Sequence, residues 1–179
     1  MPAKYSLPSP WAEFLSAVDQ SLSSKVEIHC LGGFVLTVVY DLPRTTADLD
    51  YVAIVPNSAN AELQTLAGQE SELAKKYRVH LQYTGGVSDI PEDYEERLIT
   101  VPFGLSELTI KVLDPYDLVL SKLTRNSPKD REDIKALARK LNLSFRSLIS
   151  RFEREMKPWL PNLERHELTL QLWREYFAD

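Results

Sequence analysis

The stretch GGFVLTVVYDLPRTTADLDYVAIV, residues 32–55, joins a Gly-Gly turn to an acidic strand. FVLTVVY within it is apolar without a break, so periodicity alone admits strand or helix. The two glycines in front of it favour a helix that opens at a tight turn. A turn around Leu42-Pro43 then leads into LDYVAIV, a strand whose apolar run is ended by Pro56. Asp48 and Asp50 are two residues apart, so on a strand both side chains point to one side and Leu49 points to the other, toward the core. A carboxylate pair of this kind suits Mg²⁺ or Mn²⁺, hard cations that bind through one or two carboxylates and complete their shell with substrate phosphates. Gly32 and Gly33 supply the other half of such a site, because residues without a Cβ let phosphate approach the backbone and the free N–H groups of the next helix. A Gly-Gly pair alone is ordinarily a turn, and Asp-x-Asp at a strand end is ordinarily a solvated edge. In this order the two converge on one phosphorylated ligand.

Upstream, Trp11, Phe14, Leu15, Val18 and Leu22 recur at helical spacing, which predicts a buried-faced helix from Ser6 or Ser9 as cap to about Ser21. VEIHCL, 26–31, reads as a short strand that runs into the glycines. Downstream, residues 59–76 read as one surface helix, and VHLQYTG, ERLITVP and LSELTIKVL as further strands around a polar stretch from Gly85 to Tyr94. From Asp114 onward the pattern is helical: PYDLVLSKLTR, PKDREDIKALARKL, SFRSLISRFEREM and LERHELTLQLWREYFAD, with Pro115 and Pro128 in first turns. The expected architecture is α+β, a mixed sheet flanked by helices with a helical carboxy-terminal part. It forms a single domain over 1–179, with a sheet-containing core over 1–113 and the helical part over 114–179.

At 179 residues and 44% hydrophobic, the chain has enough apolar surface for one core. Its single cysteine, Cys30, excludes an intramolecular disulfide and a cysteine-based zinc cluster, and no apolar run has the length of a secretory signal or a membrane span. These features predict a cytoplasmic protein with no membrane association. The net charge of −5 argues against broad nucleic-acid binding, although Lys and Arg gather between Lys122 and Arg165.

The pattern Gly32-Gly33, apolar helix, then Arg44-Thr45-Thr46-Ala47-Asp48-Leu49-Asp50 resembles the minimal nucleotidyltransferases of the AbiEii-like group, within the polymerase-β superfamily. VLDPYDLVLSKLTRNSPKDREDIKAL, 112–137, is similar to that group's second motif, a helix bearing a lysine followed by a Lys-Asp pair. Lys122 matches the lysine, Asp130 the aspartate of the pair and Asp133 the next acid. The two blocks cover about a quarter of the chain. The resemblance implies a nucleotidyltransferase fold, metal binding by Asp48 and Asp50, triphosphate contact by Lys122, and a role for Asp130 in positioning or activating the acceptor. Gly32, Gly33 and Arg44 join Lys122 as nucleotide-binding residues, Arg44 either meeting phosphate or ordering the loop. The implied activity transfers a nucleoside monophosphate from a triphosphate to an RNA, protein or small-molecule acceptor. In that group it often belongs to the toxin of a toxin–antitoxin or phage-defence pair, so a cognate antitoxin is an implied partner.

Each of these residues has a plainer reading: a lysine on an amphipathic helix is ordinarily solvated, and Asp130 and Asp133 suit the first turn after Pro128. Many active members of the superfamily carry a third carboxylate on a neighbouring strand, where VHLQYTG offers His80 and Gln82; Glu107 is a candidate substitute, the resemblance to the AbiEii-like group implies Asp130 as another, and His80 itself reads as a structural strand residue. A catalytically inactive module that binds nucleotide or a partner protein is therefore the alternative. An antibiotic-type nucleotidyltransferase, whose signature begins Gly-Ser, fits less well. Cys30 reads as a small buried residue, His29 as its alternating neighbour on the polar side. Trp159, Trp173, Tyr176 and Phe177 read as aromatic residues packed on the last helices, with base stacking or a partner surface as the other use.

Overall fold

The computed structural model describes residues 5–179. In chain order the elements are α1 (Trp11–Ser21), β1 (Val26–Leu31), α2 (Gly32–Phe34, continued by a wide helical turn over Val35–Val39), β2 (Asp48–Val55), α3 (Asn60–Ala67), α4 (Glu72–Tyr77), β3 (His80–Tyr83), β4 (Ile99–Thr100), β5 (Leu108–Val112), α5 (Pro115–Leu120), α6 (Pro128–Leu141), α7 (Phe145–Glu155) and α8 (Leu163–Trp173). They form two compact units: one of the residues up to Val87 with Leu98–Val112, the other of Ser88–Arg97 with Leu113–Asp179. The fold is α+β as expected, with a five-stranded mixed sheet in the first unit and the carboxy-terminal helices in the second. Among the described residues no helix is long and apolar enough to cross a membrane.

The sheet order is β3-β2-β1-β5-β4. β1 runs antiparallel to β2 and parallel to β5, β2 is parallel to β3, and β4 is antiparallel to β5. Period-two alternation gives the sheet an apolar face: Ile28, Cys30, Leu49, Tyr51, Leu81, Ile110 and Val112 are all buried. Side chains of this size contribute about 1.5–3 kcal/mol each when fully buried, which fixes the register. Helices α1, α3 and α4 pack with one another, and α3 packs on β3. The Trp11 ring meets Phe34 edge-on at 4.7 Å. Tyr51 donates its hydroxyl to Asn60 at 2.6 Å and accepts from Gln64 at 2.7 Å, tying β2 to α3. Asp19 on α1 accepts from the backbone N–H groups of Ser106, Glu107 and Leu108 at 3.0, 2.7 and 2.7 Å. Burial opposes its charge, but those three donors prevail and hold the carboxyl below its ordinary value.

In the second unit Ser127 caps α6 by accepting from the Asp130 N–H, Asp130 returns the bond, and Pro128 fills the first turn. Ser144 caps α7 by accepting from the Ser147 N–H at 3.2 Å. Arg97 donates to both oxygens of Asp117 at 3.0 and 3.1 Å and to both of Glu155 at 2.6 and 3.1 Å. Arg151 adds bonds to Asp114 and Asp117.

Several expected elements are rearranged. The single helix over 59–76 is two helices, because Gly68 ends α3 in extended backbone and Ser71 caps a new start by accepting from Ala74 N–H at 3.1 Å. Neither Ser6 nor Ser9 caps α1: Pro10 occupies that position, and the Ser9 hydroxyl donates to Glu13 instead. The helix expected over FVLTVVY starts at Gly32 itself. ERLITVP contributes only two strand residues, since Tyr94–Arg97 is a helical turn whose Arg97 is held by carboxylates of the helical unit. Helix α5 ends at Leu120 rather than continuing through Arg125, and α8 gives way to a short turn over Arg174–Tyr176. His29 lies on the face of Glu27 and is buried against it, 2.9 Å from its carboxylate.

Candidate functional site

Asp48 opens β2, and the antiparallel register sets Leu31, the last residue of β1, opposite Asp50. The chain then turns at Gly32 with φ +77°, a left-handed conformation that an L side chain adopts at a cost of about 1–2 kcal/mol. A Cβ on Gly32 would stand 2.6 Å from Asp50 Oδ2. The missing side chain therefore lets this carboxylate lie against the backbone at the start of α2. Gly33 has the same use on its other side: a Cβ there would be 3.0 Å from Thr46 Oγ1 and 3.1 Å from Nη2 of Arg44. The Thr46 hydroxyl is 2.9 Å from Asp48 Oδ1 and 3.0 Å from the Asp48 carbonyl. Gly32, Gly33, Arg44, Thr46, Asp48 and Asp50 are thus brought together, and both aspartates are half-buried. Leu49 between them is fully buried, so the two carboxylates share the side of β2 away from the core.

The parallel pairing of β2 with β3 places His80 beside Asp48 and Gln82 beside Asp50. Leu81 is fully buried beside Leu49, so His80 and Gln82 point to the carboxylate side, and Gln82 is exposed there. Glu107 cannot take the place of a third acid. It precedes β5 next to Val26, at the opposite end of β1 from Leu31, and five residues of strand span about 16 Å.

The oxygen donors of Asp48 and Asp50, on one side of a strand with bare backbone beside them, fit an ion of the Mg²⁺ or Mn²⁺ kind. Among the described residues no three His, Cys, Asp or Glu side chains form a group that could hold a metal ion. The pair therefore suits an ion that completes its shell with phosphate oxygens and water rather than one caged by protein. Cys30, on the neighbouring strand, is fully buried; burial first and the Asp50 carboxylate second push its thiol well up, which leaves it inert.

Lys122 and Asp130 come together within the helical unit. Lys122 is buried, with Nζ 3.1 Å from Asp130 Oδ1 and 3.2 Å from Asp133 Oδ2. Asp130 has no exposed surface and also accepts from Arg125 Nε and Nη2 at 2.7 and 2.5 Å, from Ser127 N–H at 3.0 Å and from the Ser127 hydroxyl at 2.8 Å. Burial works against its charge, yet Arg125, Lys122 and Ser127 together hold the carboxyl far below the usual range. Such a carboxylate orients its partners and does not accept a proton near neutral pH. Ser127 before Pro128 is a helix start in the sequence and caps α6, whereas no local pattern singles out Arg125 or Thr46. Trp173 is buried and donates to Asn126 at 3.2 Å, whereas Trp159 stays partly exposed.

A family model described as nucleotidyltransferase of unknown function (DUF6036) matches residues 12–178. No curated protein and no solved structure matches the chain. The matched span takes in the Gly32-Gly33 turn, the aspartate pair, and the Lys122 and Asp130 cluster, and the chain belongs to this family of nucleotidyltransferases.

Proposed function

We propose that this chain is a metal-dependent nucleotidyltransferase that moves a nucleoside monophosphate from a nucleoside triphosphate onto an RNA, protein or small-molecule acceptor. The observation that carries the proposal is the packing of Asp50 against the bare Gly32 backbone, with Asp48 beside it on β2. In the reaction an acceptor hydroxyl oxygen bonds to the α-phosphorus and gives up its proton to solvent, the bond from that phosphorus to the bridging oxygen breaks, and pyrophosphate departs with the electron pair. A divalent ion held by Asp48 and Asp50 would supply charge neutralisation on the phosphate oxygens. Gly32 and Gly33 leave the backbone open to phosphate, Thr46 orients Asp48, and Arg44 lies where a second positive charge serves the triphosphate. Within the helical unit Asp130 fixes Lys122 in place rather than accepting a proton.

The two sequence blocks also support placement in the AbiEii-like group, and with it a toxin role, a cognate antitoxin and work in the cytoplasm. His80 and Gln82, standing beside the pair where an acid would complete it, favour a second reading, a nucleotide-binding module without catalysis. Labelled triphosphates incubated with Mg²⁺ and cellular RNA separate the two. Transfer of label by the wild type, lost by about 10²-fold or more in Asp48→Asn, is the expected result, since removing a charge-stabilising element costs that much. A folded wild type that binds nucleotide and transfers nothing to RNA, protein or small acceptors would be the module.

A further inference from the structure

If the aspartate pair serves nucleotidyl transfer as proposed above, its neighbours on β3 decide how many ions it holds. We infer that Asp48 and Asp50 hold a single divalent ion, one shared with the phosphates of the nucleoside triphosphate, because His80 and Gln82 occupy the positions from which an acid would hold a second. Neighbouring strands lie about 4.8 Å apart, so a carboxylate at 80 or 82 would reach an ion bound to Asp48 or Asp50. Neither residue present offers one. A two-ion site sets its ions about 3.5–4 Å apart, and each needs protein oxygens of its own to fix it there.

Two further acids of the first unit are occupied. Glu27 shares the face of His29, but its carboxylate is bound to His29 and to Lys111 at 2.9 Å each. Its pairing with Val55 sets it four residues along β1 from Leu31 and Asp50, about 13 Å. Asp19 is spent on three backbone N–H groups. The ion therefore binds weakly to the protein alone and tightly only together with nucleotide, and the acceptor oxygen is met by the uncharged amide of Gln82 and by His80 rather than by a second ion.

Mn²⁺ titration read by the electron paramagnetic resonance of the free ion tests this, with an α,β-methylene nucleoside triphosphate as the unreactive nucleotide. Wild type with the analogue should take up one ion per chain, and Asp50→Asn none. Gln82→Asp or His80→Asp, each checked for folding by thermal melting, should take up two. Two ions in the wild type, or one ion in both folded acid variants, would overturn the inference while leaving the transfer reading intact. No ion in the wild type with the analogue would overturn the transfer reading itself.

Discussion

Gly32→Ala probes whether the site is built by the approach of Asp50 to the backbone. At φ +77° the alanine adopts a left-handed conformation that costs about 1–2 kcal/mol, and the smaller freedom of the unfolded alanine chain returns about 0.4–1 kcal/mol. The new Cβ also stands 2.6 Å from Asp50 Oδ2, well inside contact distance, while the Asp50 Cβ and Cγ are at an acceptable 3.5 Å. Only the tip of the side chain must move, so the carboxylate rotates rather than the strand. The expected net loss is about 1 kcal/mol, a fall in Tm of about 2–4 °C for a chain of this length. Mn²⁺ binding in the presence of nucleotide should fall by tenfold or more, because the carboxylate no longer lies where Asp48 can share its ion. Gly33→Ala is the control for stability alone: its φ is ordinary and the contacts it makes, 3.0 and 3.1 Å to Thr46 and Arg44, ask for small shifts. Melting curves on both variants and ion titrations on Gly32→Ala settle the matter. If Gly32→Ala melts and binds Mn²⁺ as the wild type does, the close approach of Asp50 to Gly32 has no part in the site.

Lys122→Met removes the ammonium from between two buried carboxylates and should cost about 3 kcal/mol in urea unfolding, more than a solvated lysine could; an unchanged midpoint would refute its buried placement. Arg97→Met leaves Asp117, whose carboxyl is already raised by burial first, without its bidentate partner. The folded state of that variant then binds a proton the unfolded chain does not, so its stability should rise as pH falls from 7 toward 5, and a flat profile would count against the pairing. His166 is buried and its imidazole is held below its ordinary value by burial first and Arg165 second. Below about pH 6.5 the unfolded chain takes up a proton that the folded chain resists, so stability is lost on acidification, and His166→Phe should show a shallower loss between pH 6.5 and 5 in thermal melts.

Period-two spacing made the placement of Asp48, Leu49 and Asp50 legible, because alternation on a strand is a local property of the backbone. The glycine pair was legible for a similar reason: positive φ and close approach exclude other residues. His80 and Gln82 were recognised as the candidates opposite the pair, but their register with Asp48 and Asp50 is a pairing between strands separated by α3 and α4, which no local pattern encodes. Glu107 could not be placed for the same reason. The break of 59–76 at Gly68 was hidden by strong helix formers on both sides, with a serine cap too far inside the run to stand out. Lys122 has the spacing of a solvated lysine, because its partners, Asp130 and Asp133, lie on the next helix and bury it only once that helix packs.

The excursion of residues 88–97 into the helical unit makes both units discontinuous in the chain. During synthesis Arg97 leaves the ribosome before any carboxylate that holds it: Asp117 follows 20 residues later and Glu155 58 residues later. The sheet unit's last strand is complete at Val112, while the guanidinium stranded between β3 and β4 still waits for the far end of α7. A gene fragment that stops after β5 would carry that ten-residue loop with its anchor missing, and one that starts at Leu113 would hold Asp117 with Arg151 but without Arg97. Expression of either half alone should yield a product sensitive to proteolysis, the first within 88–97 and the second throughout, and mixing the halves should restore resistance only if the first retains Arg97.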